Sequence, residues 1–141
     1  MITINIEARP SYPNYKIITV QGSMDAVACK QVDDKVIPVI EQEDLDIILD
    51  ISKTDYLSST GIMSLVKYLV FLTDKGKILR IIKPPESVAQ TLKVVGLQKH
   101  FDMYDSVEEA LSKEIKESAG LSETHPLLKG MAEMIRKQKG R

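Results

Sequence analysis

Ser58, Ser59 and Thr60 put three hydroxyl side chains in a row, immediately before Gly61 and a long apolar run. Two kinds of chemistry suit that row. A serine at a helix start accepts a hydrogen bond from a backbone N–H and caps the helix. A hydroxyl not used in that way can take a phosphoryl group, because the unpaired N–H groups and positive dipole end of a helix N-terminus favour an anion. The chain offers few other reactive groups. Cys29 is its one cysteine, so no intramolecular disulfide can form, and its place early in an amphipathic helix makes it a small packing residue. His100 and His125 are isolated in the sequence and read as structural or exposed. No phosphate loop of the Gly-x-x-x-x-Gly-Lys-Ser/Thr type, no Gly-x-Ser-x-Gly elbow and no metal-ligand spacing occurs, so no cofactor or metal is expected.

The hydroxyl row must be held by its neighbours. Upstream, "LDIILDIS" is a nearly continuous apolar run, the pattern of a strand covered on both faces, and "KTDYLS" reads as the connection to the helix that Ser58 or Ser59 opens. On that helix Ile62, Leu65, Val66 and Leu69 form the stripe facing the core, with Tyr68 and Phe71 opposite; Gly76 ends it. Before these elements, Ile2, Ile4 and Ile6 alternate with polar residues, and "YKIITVQG" is a second β-branched run able to pair with the first as a hairpin. Asp25 is placed to cap a helix carrying Val27, Val32, Val36, Ile37 and Ile40, with Pro38 a point of kinking or early termination. Farther on, "KILRIIK" is strand-like and stopped by Pro84 and Pro85. A helix then runs from Ser87 to Val95 with Gly96 as terminator, "HFDMY" is a short strand, and Ser106 starts a helix to about Ile115. Strands alternating with helices at this spacing give an α/β layer structure.

Bulk properties narrow the class. At 141 residues the chain makes one domain that buries about two-thirds of its unfolded surface. Its 43% hydrophobic and 28% charged residues describe a globular protein, and a net charge of -1 argues against nucleic-acid binding. The start, "MITINIEARP", is strand-like and unlike a signal peptide, and no apolar run reaches the roughly 18 residues of a membrane span. A cytoplasmic protein without stable membrane insertion is expected.

The stretch "LDIILDISKTDYLSSTGIMSLV" resembles the signature region of STAS domains, in particular the bacterial anti-sigma-factor antagonists. Those carry an apolar strand ending in an acidic residue, a loop, and Asp-Ser-Ser/Thr-Gly at a helix start. Asp50 matches the acidic residue, Ser58 stands where the motif has Asp, and Ser59, Thr60 and Gly61 match the rest. "QGSMDA" resembles the family's turn before the first helix, with Asp25 at its acidic position; the likeness spans about residues 1–115. It implies a STAS-like layer of four to five mixed strands with amphipathic helices on one side. It also implies a function: binding an anti-sigma factor that is a serine kinase, phosphorylation of Ser59 (Ser58 and Thr60 being the alternatives), release of the partner, and resetting by a serine phosphatase. Asp25, Asp50, Ser58, Thr60 and Gly61 would then line the partner-facing edge, and the protein itself would not be an enzyme. The serine at position 58 caps as well as aspartate does but removes a charge that kinase recognition could use.

The likeness stops before the tail. Residues 1–117 form the expected domain, 118–126 a linker, and 127–141 an amphipathic helical extension with Leu127, Leu128, Met131, Met134 and Ile135 on one face. That face has three uses open to it: covering Tyr68 and Phe71, pairing two copies as a homodimer, or resting on a membrane surface. Function also has other readings. Some STAS domains are scaffold or transport-complex subunits, including ones serving lipid transport, and Ser59 could act as the nucleophile of a hydrolase, though no base stands near it in sequence.

Overall fold

The computed structural model describes residues 2–94, 96, 101–112 and 126–139. Strands β1 (Thr3–Ala8) and β2 (Tyr15–Met24) pair antiparallel, as the two alternating runs predict, with Ile4 opposite Val20 and Ile6 opposite Ile18. The chain then crosses through α1 (Ala26–Gln42) to β3 (Asp46–Leu57), and through α2 (Ser59–Asp74) to β4 (Leu79–Ile82). Helix α3 (Glu86–Val94) leads towards β5 (Asp102–Tyr104), which is followed by α4 (Val107–Ser112) and, after residues outside the description, α5 (Pro126–Lys139). The sheet order is β1-β2-β3-β4-β5, with every pairing after the first parallel.

Alternation along the strands divides the core. Ile18, Val20, Ile47, Leu49, Ile51, Leu79 and Ile81 face one side, where they pack with α1, α2, α3 and α5. Tyr15, Ile17, Ile48 and Ile82 face the other, beneath Ala110 and Leu111 of α4. The one-sided helical layer therefore gains a short cover on its second face, because central parallel strands are apolar on both sides. Arg80 is fully buried under that cover. Its Nε donates to Asp102 Oδ2 at 3.0 Å, a second nitrogen donates to the Ala110 carbonyl, and its guanidinium lies 5.9 and 5.0 Å from the Tyr15 and Tyr104 rings.

Several expectations change in three dimensions. "KTDYL" is not a connection: β3 continues through it to Leu57, held by β2, with Gln21 opposite Lys53 and Met24 opposite Leu57. Bulges in β3, at Ile51–Ser52 opposite Val20 and at Asp55 between the Gly22 and Ser23 pairings, alter its alternation, so Thr54 and Leu57 are buried while Lys53, Asp55 and Tyr56 are exposed. In α1 the buried positions are Ala28, Cys29, Val32, Val36 and Ile40, and the helix runs on past Pro38 to Gln42; Val27 falls outside that stripe. Tyr68 and Phe71 are buried, Tyr68 through a hydrogen bond from its hydroxyl to Asp33 of α1. Of the uses open to the tail, packing on the domain is the one seen within the chain: Ala132 and Ile135 of α5 are buried against the core, and Arg136 holds Asp74 of α2 through two nitrogens at 2.8 and 3.0 Å. Gly76, at φ +73, ends α2 by letting Lys77 N–H reach back to Leu72 O at 2.8 Å. The end of the Ser106 helix beyond Ser112, the residues 118–125 of the linker, and both histidines lie outside the described residues.

Candidate functional site

Two helix starts meet at the carboxyl ends of β2 and β3. Asp25 follows β2 and caps α1, its Oδ1 accepting from Ala28 N–H at 2.9 Å. Ser58 follows β3 and caps α2, its Oγ accepting from Gly61 N–H at 3.1 Å. Because Met24 and Leu57 are in register, the two caps are neighbours. One atom ties them together. The Met24 carbonyl oxygen accepts from Ser58 N–H at 3.1 Å, from Ser58 Oγ at 2.8 Å and from Cys29 Sγ at 3.7 Å.

That arrangement separates the three hydroxyls. Ser58 is half-buried and its oxygen is engaged both as donor and as acceptor, whereas Ser59 and Thr60 are exposed on the first turn of α2. Gly61 is buried, and a Cβ built there would lie 2.7 Å from Leu57 Cδ1 and 3.2 Å from the Met24 carbonyl oxygen. The glycine is thus required by the close approach of α2 to the end of β2. Asp50, grouped with these residues in the sequence reading, is not brought to them. It pairs with Thr19 and Ile82 in the middle of the sheet, and its carboxylate accepts from Ser52 N–H at 3.0 Å and Ser52 Oγ at 2.7 Å. The rest of β3, rising about 3.3 Å per residue, separates it from the caps.

Two residues at the site escaped the sequence reading. Val27 beside the Asp25 cap is 74% exposed, and Tyr56 beside the Ser58 cap is 54% exposed. A wheel centred on Ala28, Val32 and Val36 turns Val27 outward, whereas the exposure of Tyr56 follows from the pairing of its strand with β2, which no local pattern in "KTDYL" signals. Val27 lines a shallow surface pocket with Asp25, whereas Tyr56 lines one with Ser87 and Val88 of α3. The first turn of neither α1 nor α2 carries a basic or an acidic side chain. Behind the caps, burial pushes the Cys29 thiol above its ordinary value, while hydrogen bonding with Ser58 and Ser64 acts the other way. A thiol in that state is protonated and unreactive at neutral pH. No group of three or more potential metal ligands exists among the described residues.

The arrangement can present a hydroxyl at a helix N-terminus for modification and can offer a small, flat, mixed surface to another protein. Among the described residues Ser59 has no hydrogen bond to a side chain able to act as its base.

A sequence model of the STAS domain matches residues 4–110. In three dimensions the chain is similar to an anti-sigma factor antagonist from Mycobacterium paratuberculosis, with 20% identity over 79% of this chain and 92% of that one, at a TM-score of 0.70. It is also similar to the antagonist SpoIIAA in its unphosphorylated form (17% identity, 77% and 93% coverage, TM-score 0.61). The Bacillus cell fate determinant SpoIIAA in its phosphorylated form matches equally well (18% identity, 77% and 96% coverage, TM-score 0.62). At these identities the likeness establishes the shared fold.

Proposed function

The chain belongs to the STAS domain family, and we propose that it acts there as an anti-sigma-factor antagonist governed by phosphorylation of Ser59. In this reading it binds an anti-sigma factor that is also a serine kinase, loses that partner when Ser59 is phosphorylated, and regains it when a serine phosphatase removes the group. It is a binding module of the cytoplasm, with no reaction of its own. Among the described residues no helix is long and apolar enough to cross a membrane.

One observation carries the choice of residue: of two adjacent serines, Ser58 has its oxygen engaged in the cap and Ser59 has its oxygen exposed. Phosphorylating Ser58 would break the bonds to Met24 and Gly61, and phosphorylating Ser59 would break none that the described residues make. Thr60, equally exposed, is the alternative acceptor. Asp25, Ser59 and Thr60 form the partner face; Ser58 and Gly61 sit beneath and set its shape. Asp50 acts apart from this face, bracing Ser52 where β3 runs on past β4.

The energetics favour repulsion of the partner over refolding of the owner. A phosphate at the start of α2 gains about 0.3–1 kcal/mol from the helix dipole, too little to rearrange a domain. The same charge of about -1.5 to -2 pressed into a protein contact beside Asp25 and Asp55 costs several kcal/mol, and each ~1.4 kcal/mol is tenfold in affinity. The experiment is to incubate the chain with ATP and its cognate kinase and map the modified residue, then compare partner retention by wild type and Ser59→Asp. Labelling at Ser59 and release of the partner by Ser59→Asp are expected. Absence of label at all three hydroxyls would reject the switch.

A further inference from the structure

Helix α5 presents a second face. With Ala132 and Ile135 turned to the core, helical spacing turns Gly130, Glu133, Met134 and Lys137 the other way, with Lys129 beside them, and all five are exposed. Met134 is 52% exposed, an adaptable apolar side chain standing in solvent one turn from Gly130. Nothing within the chain requires that glycine. Its φ is not left-handed, and a Cβ built on it would meet no atom within 4 Å. A glycine inside a helix weakens it, so Gly130 brings a cost with no return inside the molecule. What it supplies is a low spot on the outer surface, next to the protruding methionine.

The charges of this face have no partners at home. Lys129, Glu133 and Lys137 follow one another at four-residue spacing along one flank, and none forms an ion pair among the described residues. Lys129 also precedes Glu133, the less favourable order for a pair within one helix.

Such a face complements itself. When two α5 helices pack antiparallel about a two-fold axis at the level of Met131, the same flank of each helix meets the same flank of the other. Lys129 of each copy then comes level with Glu133 of the other, and Met134 of each passes over the low spot at Gly130 of the other. The two domains lie on opposite sides of the pair, so Ile135 and the Arg136–Asp74 contact are undisturbed. The helix has 14 residues. One helix per copy gives a contact at the small end of protein interfaces, below about 1,200 Å², so the dimer is weak and governed by concentration.

We propose that the outward face of α5 is a self-association surface: two copies of the chain pair antiparallel through it, Met134 seating over Gly130 and Lys129 meeting Glu133 across the axis. The inference is independent of whether Ser59 is phosphorylated.

The test is sedimentation velocity on the full chain from low micromolar to millimolar concentration, where a monomer–dimer equilibrium is expected. Gly130→Gln fills the low spot while favouring the helix, and Met134→Glu charges an exposed side chain. Each should weaken the dimer at least tenfold without lowering the thermal midpoint of the dilute monomer. Lys129→Glu and Glu133→Lys should each weaken self-association severalfold, since each sets like charges opposite one another. Mixed together, the two variants should recover a dimer close to wild type in strength, because the mixed pair joins Glu to Lys at both crossings. Charges that acted only within one helix would stay mismatched in each chain and gain nothing from mixing. A monomer at every concentration, a dimer untouched by Gly130→Gln, or a mixture no stronger than its components would overturn the proposal.

Discussion

The Ser58 hydroxyl donates to the Met24 carbonyl oxygen at 2.8 Å, joining the end of β2 to the start of α2 across thirty-four residues of sequence. The Ser58 hydroxyl oxygen also accepts from Gly61 N–H, so one side chain closes the helix and fastens it to the sheet. Ser58→Ala is expected to cost about 1–2 kcal/mol, the range for a lost cap. Ser59→Ala is expected to stay within about 0.5 kcal/mol of wild type, since that side chain is exposed. Urea denaturation of the two variants checks the contrast; equal losses would contradict the division of roles between the serines.

Gly61→Ala tests the close approach beneath the hydroxyls. Alanine improves helix propensity by up to about 1 kcal/mol. Against that, its Cβ would meet Leu57 at 2.7 Å and the Met24 carbonyl at 3.2 Å, and Leu57 is buried and cannot swing freely. Overpacking of this kind costs about 1–3 kcal/mol, so a net destabilisation is expected in thermal or urea melts.

The hydroxyl of Tyr68 donates to Asp33, whose other oxygen accepts from Lys67 Nζ at 2.7 Å. Burial first, and then the bond to Asp33, push the Tyr68 hydroxyl far above its ordinary value. In the unfolded chain it ionises near pH 10, while in the folded protein it stays protonated. Stability is therefore fully present below about pH 10 and falls as pH rises beyond it, by up to about 1.4 kcal/mol per pH unit for this group. Denaturation between pH 8 and pH 11.5 should show that loss, and Tyr68→Phe should make it shallower.

The tail helix rests on Ala132, Ile135 and the Arg136–Asp74 pair. Ile135→Ala removes most of its anchoring and is expected to raise amide exchange in α5 before any change in the sheet. Removing residues 126–141 should expose Phe71 and Ile37, which line the groove under α5, and increase binding of an apolar dye. If exchange in α5 and in the sheet rose together, the tail would be part of the cooperative core.

Cys29 is 2% exposed, and burial holds its thiol in the protonated form. Its alkylation at pH 7.5 should be slow in the native protein and fast in denaturant. Ser58→Ala, which removes a neighbouring hydroxyl that favours the thiolate, should not accelerate it unless the cap opens.

What the sequence determined by itself was local. The cap at Asp25 is legible, and the second is narrowed to Ser58 or Ser59, because the accepting side chain and the N–H it takes are three residues apart. The order of strands and helices follows from apolar periodicity, and the family likeness from the residues between Asp50 and Gly61. What the tertiary structure alone decided depends on neighbours distant in the chain. "KTDYL" is a strand because β2 pairs with it and Thr54 Oγ donates to Val20 O at 3.0 Å. Tyr68 is buried because α1 and α2 pack together, and Asp50 is set apart from the hydroxyls because β3 outruns β4. Ser58 and Ser59 look alike in sequence; they part company only when the Met24 carbonyl arrives beside one of them. Capping is a contest settled within one helical turn, whereas burial and edge pairing are settled by which distant segments come to lie alongside.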